Sequence, residues 1–202
     1  MRSKATFGIA VILLVVSGCS SGPVSGEPTS QSTFSPPASP TPSNATAVLN
    51  PLRVEKIQSD MCTGLTSGQL TPYVGAIRKQ DPDKDSTGAP LCAWLPNNNS
   101  MADVTLYADS KDDNVTDLYQ ARAGDAFFEK VPLVAGYPAV RRSGLSEGPK
   151  RGDCMTIVAV SDRSTISVLA TATGDDFQYY TAMCTVTDKL AEAAIANLKA
   201  RG

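Results

Sequence analysis

Five cysteines carry the most reactive side chains of this chain, and their positions divide them into one and four. Cys19 closes the run Val16-Ser17-Gly18-Cys19, directly after an apolar stretch, whereas Cys62, Cys92, Cys154 and Cys184 are spread through the body of the sequence. An aliphatic residue, two small residues and a cysteine make up the bacterial lipobox. Its chemistry needs a thiol that a diacylglyceryl transferase can reach at the membrane surface, and small side chains that fit the peptidase cutting before it. Val16, Ser17, Gly18 and Cys19 meet both needs, so Cys19 is the expected attachment point for an S-diacylglyceryl group and an N-acyl chain such as palmitate.

The residues ahead of Cys19 fit the same expectation. Met1-Arg2-Ser3-Lys4 carries two positive charges, and Phe7 to Val16 is an apolar run of ten residues. A helix needs ~20 apolar residues to cross a hydrocarbon core. A basic segment before a short apolar run is the pattern of a secretory signal. Residues 1–18 therefore read as a lipoprotein signal peptide. One acyl chain holds a protein marginally at a membrane and two hold it stably, which predicts a cell-membrane protein, lipid-anchored on the extracytoplasmic face.

Export changes what the other four cysteines can do, because disulfides persist in oxidising compartments. Four cysteines allow three pairings. Cys62 to Cys92 and Cys154 to Cys184 are each separated by 30 residues, and local pairing, Cys62 with Cys92 and Cys154 with Cys184, is the expected arrangement. Each bridge would contribute roughly 3–4 kcal/mol in the chain-entropy model. The alternatives are reduced buried thiols or a zinc site. Zinc is disfavoured because the chain has no C-x-x-C and no histidine.

The missing histidine also removes a Ser-His-Asp triad, a Cys-His pair and any His-ligated metal. Gly144-Leu145-Ser146-Glu147-Gly148 matches G-x-S-x-G, but Pro149-Lys150-Arg151-Gly152 follows where a nucleophile elbow needs a helix. Asp81-Pro82-Asp83-Lys84-Asp85 begins like a calcium loop, yet Ser86 and Cys92 stand where Gly and Glu belong. It reads as a solvated surface loop. Asp109, Asp112, Asp113 and Asp117 gather near a helix start, where the helix dipole accounts for them. No carboxylate spacing supports a glycosidase pair. Arg141-Arg142 and Lys150-Arg151 make a small basic patch, read as solvated charge with anionic headgroups as the alternative. Asn44, Asn98 and Asn114 match the N-glycosylation pattern by coincidence. No catalytic residue, metal ligand or cofactor is expected. The net charge is −2 for the whole chain and about −4 once residues 1–18 with Arg2 and Lys4 are removed, so no nucleic-acid partner is expected.

Three segments follow from composition. After the signal peptide, residues 19–52 are rich in Pro, Ser and Thr, as in Phe34-Ser35-Pro36-Pro37-Ala38-Ser39-Pro40-Thr41-Pro42-Ser43. Such a stretch cannot bury enough surface to offset ordering entropy, which predicts a disordered tether. Residues 53–202 form one domain of ordinary size. Thr66 and Gln69 have capping-box spacing and predict a helix that ends before a loop from Gln80 to Pro90. Strands are predicted at Leu91–Leu95, Ala102–Ala108, Phe127–Val131 and Tyr137–Arg141, with Pro138 at an edge or a strand start. Cys154–Val160 and Thr165–Ala170 flank Ser161-Asp162-Arg163-Ser164 as a hairpin. A helix is predicted at Val115–Ala123. A long C-terminal helix is predicted with Gly174-Asp175-Asp176 as its acidic first turn, and Tyr180, Met183, Cys184, Thr187, Leu190, Ala191, Ala194 and Leu198 on its apolar face. The fold class is α+β, a mainly antiparallel sheet packed against helices.

Asp60-Met61-Cys62, Cys92-Ala93-Trp94, Gly136-Tyr137-Pro138-Ala139, Cys154 on a strand and Cys184 on a terminal helix appear in this order behind a lipobox and a Pro/Ser/Thr tether. In this the chain resembles small actinobacterial lipoproteins of the mycobacterial Lpr type, built on a domain of unknown function. Family members usually have Pro between the Asp and the first Cys, where this chain has Met61. The resemblance implies an envelope lipoprotein without an established activity. Two functional classes follow. One is a non-enzymatic binding module for an envelope protein, lipid or glycan, which predicts an apolar patch on the sheet face left bare by helices. The other is a carboxylate-dependent envelope hydrolase, which predicts paired acidic side chains in a pocket.

Overall fold

The computed structural model describes residues 48–110, 115–120 and 125–201. The segment expected as a signal peptide, Cys19 and the segment expected as a tether lie, up to residue 47, outside the described residues.

The sheet has seven strands, all paired antiparallel, in the order β1-β2-β3-β7-β6-β5-β4. The strands are β1 (Ile77–Lys84), β2 (Pro90–Pro96), β3 (Ala102–Asp109), β4 (Phe127–Val134), β5 (Tyr137–Ser143), β6 (Asp153–Ala159) and β7 (Thr165–Ala172). Two meanders build it. β1 to β3 run from one edge to the centre. The chain then crosses by way of α3 (Val115–Gln120) to the far edge, and β4 to β7 return until β7 pairs with β3.

Alternation decides which face is covered. Cys92 and Trp94, then Val104 and Leu106, Val168 and Ala170, and Cys154, Thr156 and Val158 share one face and are buried. Over this face lie α1 (Glu55–Gln58), a 3-10 turn at Met61–Thr63, α2 (Ser67–Val74) and α4 (Met183–Ala200). α4 packs on β6 and β7 through Cys184, Thr187, Leu190, Ala191, Ala194 and Leu198, the apolar face read from its periodicity. On the other face α3 packs on β5 with Leu118 buried, and Lys130 of β4 lies 4.9 Å over the Tyr119 ring. Over β2, β3 and β7 this second face leaves Leu91, Ala93, Leu95, Tyr107 and Leu169 half-buried.

Local chemistry sets several boundaries as expected. The Gln69 backbone N–H donates to Thr66 Oγ1 (3.3 Å) and the Thr66 N–H donates to Gln69 Oε1 (2.8 Å), which is the capping box of α2. Both disulfides form in the expected pairing, Cys62–Cys92 and Cys154–Cys184. Pro138 is the second residue of β5, an interior strand, so it marks a strand start and not an edge.

Two expectations fail. The segment expected as a loop from Gln80 to Pro90 is strand β1 up to Lys84, with Asp81, Asp83 and Lys84 paired to Ala93, Leu91 and Pro90, and a loop only over residues 85–89. An edge strand tolerates this composition because one side of its backbone faces water, where charges and the missing Pro82 N–H cost little. Gly174-Asp175-Asp176 is not the first turn of α4, which starts at Met183 after a 3-10 turn at Tyr180–Ala182 and has no side-chain cap. Asp176 instead accepts from Ser100 Oγ in the β2–β3 loop, and a Cβ at Gly174 would collide with the Asn99 carbonyl. Close packing against that loop claims the turn.

Candidate functional site

The β4–β5 hairpin turns through Ala135 and Gly136, whose φ values are 51° and 90°. Two consecutive positive φ angles define the type I′ turn, whose twist matches a tight hairpin. Gly136 adopts this freely, and Ala135 pays a steric cost of ~1–2 kcal/mol. The turn is one wall of a recess of about 580 Å³. Its opposite wall is the segment Val48 to Leu52, and Tyr137, Leu133 and Lys199 complete it. Three hydrogen bonds fasten that segment to the sheet. The Leu52 N–H donates to the Val160 carbonyl (2.8 Å), Tyr137 Oη donates to the Asn50 carbonyl (2.8 Å) and the Val48 N–H donates to Asp162 Oδ1 (3.5 Å).

The rim of this recess is unusually apolar. Leu49 is 90% exposed and Leu133 is 58% exposed. Lys199, from the last turn of α4, donates to the Ala135 carbonyl (3.3 Å) and lies 4.9 Å over the Tyr137 ring. Burial raises the Tyr137 pKa, so its hydroxyl is a neutral donor to Asn50 at neutral pH.

A second cluster lies between α4 and β4–β6. Thr156 and Thr187 are fully buried, with their hydroxyls 2.7 Å apart. The Thr156 hydroxyl donates to Asp188 Oδ1 (2.7 Å) and the Thr187 hydroxyl to the Cys184 carbonyl (3.1 Å), so with one proton each the two hydroxyls share the contact between them without a fixed donor. Asp188 is bound from the other side by Arg141 through Nε and Nη2, while Arg141 Nη1 reaches Glu129 Oε2 at 3.0 Å. The hydrogen bond to Asp188 is the main cause of a raised Arg141 pKa. Every guanidinium direction is thus turned toward a carboxylate. Beside the cluster, Phe127, Glu129, Arg141, Ser146, Lys150 and Cys184 line a recess of about 420 Å³.

The residues singled out from sequence fall as follows. Val16, Ser17, Gly18, Cys19, Asn44, Asp112, Asp113 and Asn114 lie outside the described residues. Ser146 sits in the β5–β6 connection, followed by a 3-10 turn at Gly148–Lys150, without the strand–turn–helix of a nucleophile elbow. Asp81 pairs with Lys79 at 2.6 Å, and Asp85 Oδ1 accepts from the Thr87 and Ala89 N–H groups at 2.8 and 2.9 Å, so both serve the β1–β2 hairpin. Among the described residues, no group of three or more His, Cys, Asp or Glu side chains is placed to hold a metal ion. Asp109 ends β3. The basic patch is divided, since Arg141 pairs with Asp188 and Glu129 while Arg142 pairs with Asp125 (2.9 Å). The apolar patch expected on the bare sheet face is instead most exposed at the β4–β5 corner. Sequence reading missed that corner, because Ala135-Gly136 stands where Asn-Gly or Asp-Gly would mark a two-residue hairpin.

The fold and these clusters define a disulfide-braced α+β domain with one antiparallel sheet. Residues 14–197 match the family described as protein of unknown function DUF3558, and the chain belongs to that family. No curated protein and no solved structure matches the chain.

Proposed function

We propose that this chain is a lipoprotein of the cell envelope, held at the extracytoplasmic face of the cell membrane through Cys19, with a domain that binds a ligand and does not catalyse a reaction. The observation that carries the reading is the division of the cysteines: four are joined in two disulfides, which suits an oxidising compartment, and Cys19 alone is left over, in a lipobox. The motif order behind that lipobox supports membership among the Lpr-type actinobacterial lipoproteins within the family. The partner would be an envelope protein, lipid or glycan, taken at the apolar recess. Against the hydrolase reading, the carboxylates of Glu129 and Asp188 are engaged by Arg141, which leaves neither placed as a general acid or base.

Mass spectrometry of the membrane-extracted protein tests the anchor. The expected N-terminal species begins at Cys19 with a diacylglyceryl group, and Cys19→Ser should leave the precursor unlipidated and absent from the detergent-soluble membrane fraction. An unmodified N-terminus at another residue would refute the anchor. Extraction and analysis of lipids that copurify with the lipidated protein tests the binding module.

A further inference from the structure

We infer that the folded domain itself docks on an anionic lipid surface through the corner where residues 48–52 join the sheet. This rests on the anchored reading above and deepens it by naming the partner of the recess. Leu49 and Leu133, the two most exposed large hydrophobic side chains among the described residues, line one recess. That recess shares Leu52 and Lys199 with a neighbouring one, which adds Arg53 and Lys56 to the same surface. Glu55 and Asp162 are the acidic residues beside them. Two projecting leucines with Arg53, Lys56 and Lys199 nearby, against Glu55 and Asp162, give this corner one positive charge in excess on a chain whose net charge is −2. Aliphatic side chains that enter the headgroup region, with Lys and Arg around them, are what an interfacial contact with anionic lipid requires.

The path of the chain favours a bilayer over other occupants. Val48 is 29 positions from Cys19, a distance over which a coil spans ~30 Å. An anchor at Cys19 would therefore hold this corner at high effective concentration near the lipid, so a weak contact suffices. The contact also accounts for the exposed leucine of β4 two positions before the Ala135–Gly136 turn.

The full-length lipidated protein is incorporated into vesicles of phosphatidylcholine alone or mixed with phosphatidylglycerol, and backbone amide exchange is compared at Leu49–Asn50 and Ala135–Gly136. Exchange there should be about tenfold slower on the mixed vesicles than on neutral ones, and high salt should reverse this. The double variant Leu49→Ser/Leu133→Ser should lose the protection while keeping its lipid and its urea midpoint. Equal exchange on both vesicle types, or protection that survives the double substitution, would overturn the proposal. If mass spectrometry finds Cys19 unmodified, the anchor reading fails separately. The same chain added from solution then tests docking by cosedimentation: retention on the mixed vesicles alone supports it, and no retention overturns it.

Discussion

The two disulfides offer a matched comparison, because both close loops with a sequence separation of 30. The chain-entropy model then assigns each the same constraint on the unfolded state, ~3.5 kcal/mol. Burial is matched too, with Cys92 and Cys154 inaccessible and Cys62 and Cys184 nearly so. What differs is the native element each one holds. Cys62–Cys92 ties the Met61–Thr63 turn to β2, whereas Cys154–Cys184 ties the first turn of α4 to β6. That first turn has no side-chain cap, and a missing cap is worth ~1 kcal/mol, so the second bridge also holds a helix start. We expect Cys62→Ala/Cys92→Ala to lose about 3–4 kcal/mol and Cys154→Ala/Cys184→Ala about 1 kcal/mol more. Urea unfolding followed by the fluorescence of Trp94 measures both. It is the single tryptophan, 1% exposed and hydrogen-bonded to Gln80 Oε1. The m-value should rise in each variant as the opened loop exposes more surface. A loss below ~1 kcal/mol in either variant would refute the entropic account, and a larger loss for the first pair would refute the assignment of α4 as the dependent element.

Ala135→Asn should raise stability by about 1 kcal/mol, seen as a higher urea midpoint, because asparagine accepts the positive φ that Ala135 adopts under strain. Asp188→Ala should cost about 2–4 kcal/mol, since it strips Arg141 of its main partner and removes the carboxylate that accepts from the buried Thr156 hydroxyl. Asp188→Asn keeps an acceptor and should cost less in the same titration. Burial raises the Tyr107 pKa, with the nearby Asp85 charge adding to it. Its contribution is therefore fully present below the unfolded value near 10 and is lost as pH rises through the higher folded value. Stability measured between neutral and strongly alkaline pH should fall less steeply in Tyr107→Phe than in the parent.

The parts legible in the sequence are those in which local chemistry and burial agree. Thr66 with Gln69 marks a helix start, and alternation from Ala102 to Ala108 marks a strand buried on one face, because neither depends on a distant partner. Equal spacing made the disulfide pairing readable for the same reason. β1 was hidden because pairing with β2 overrides the poor strand propensity of Asp81-Pro82-Asp83-Lys84. The start of α4 was misplaced because Asp176 is used by the β2–β3 loop, a long-range contact that no window around the helix contains. The Arg141–Asp188 pair joins residues 47 positions apart through the packing of α4 on the sheet. Arg141 reads from the sequence as part of a solvated patch, and it is the topology that brings Asp188 to it.

That packing also explains why the candidate site lies at a corner and not at the centre of the sheet. The central strands β7 and β6 take α4 and the disulfide at Cys154, and the polar groups between them, Thr156 of β6 with Thr187 and Asp188 of α4, bond one another. A side chain exchanged in that layer would disturb a buried network, where an unpaired group costs ~1–3 kcal/mol. The β4–β5 corner carries no such burden. β4 is an edge strand whose register shifts between Val131 and Val134, and its hairpin meets the 48–52 segment through one hydrogen bond, Tyr137 Oη to the Asn50 carbonyl, while Val160 and Asp162 of the β6–β7 turn supply the other two. Leu133 and Leu49 can therefore vary in size and exposure without touching the core. In a domain proposed to hang from Cys19, that freedom falls where the chain leaves the fold toward the lipid, so recognition can change there while the disulfide-braced sheet stays the same.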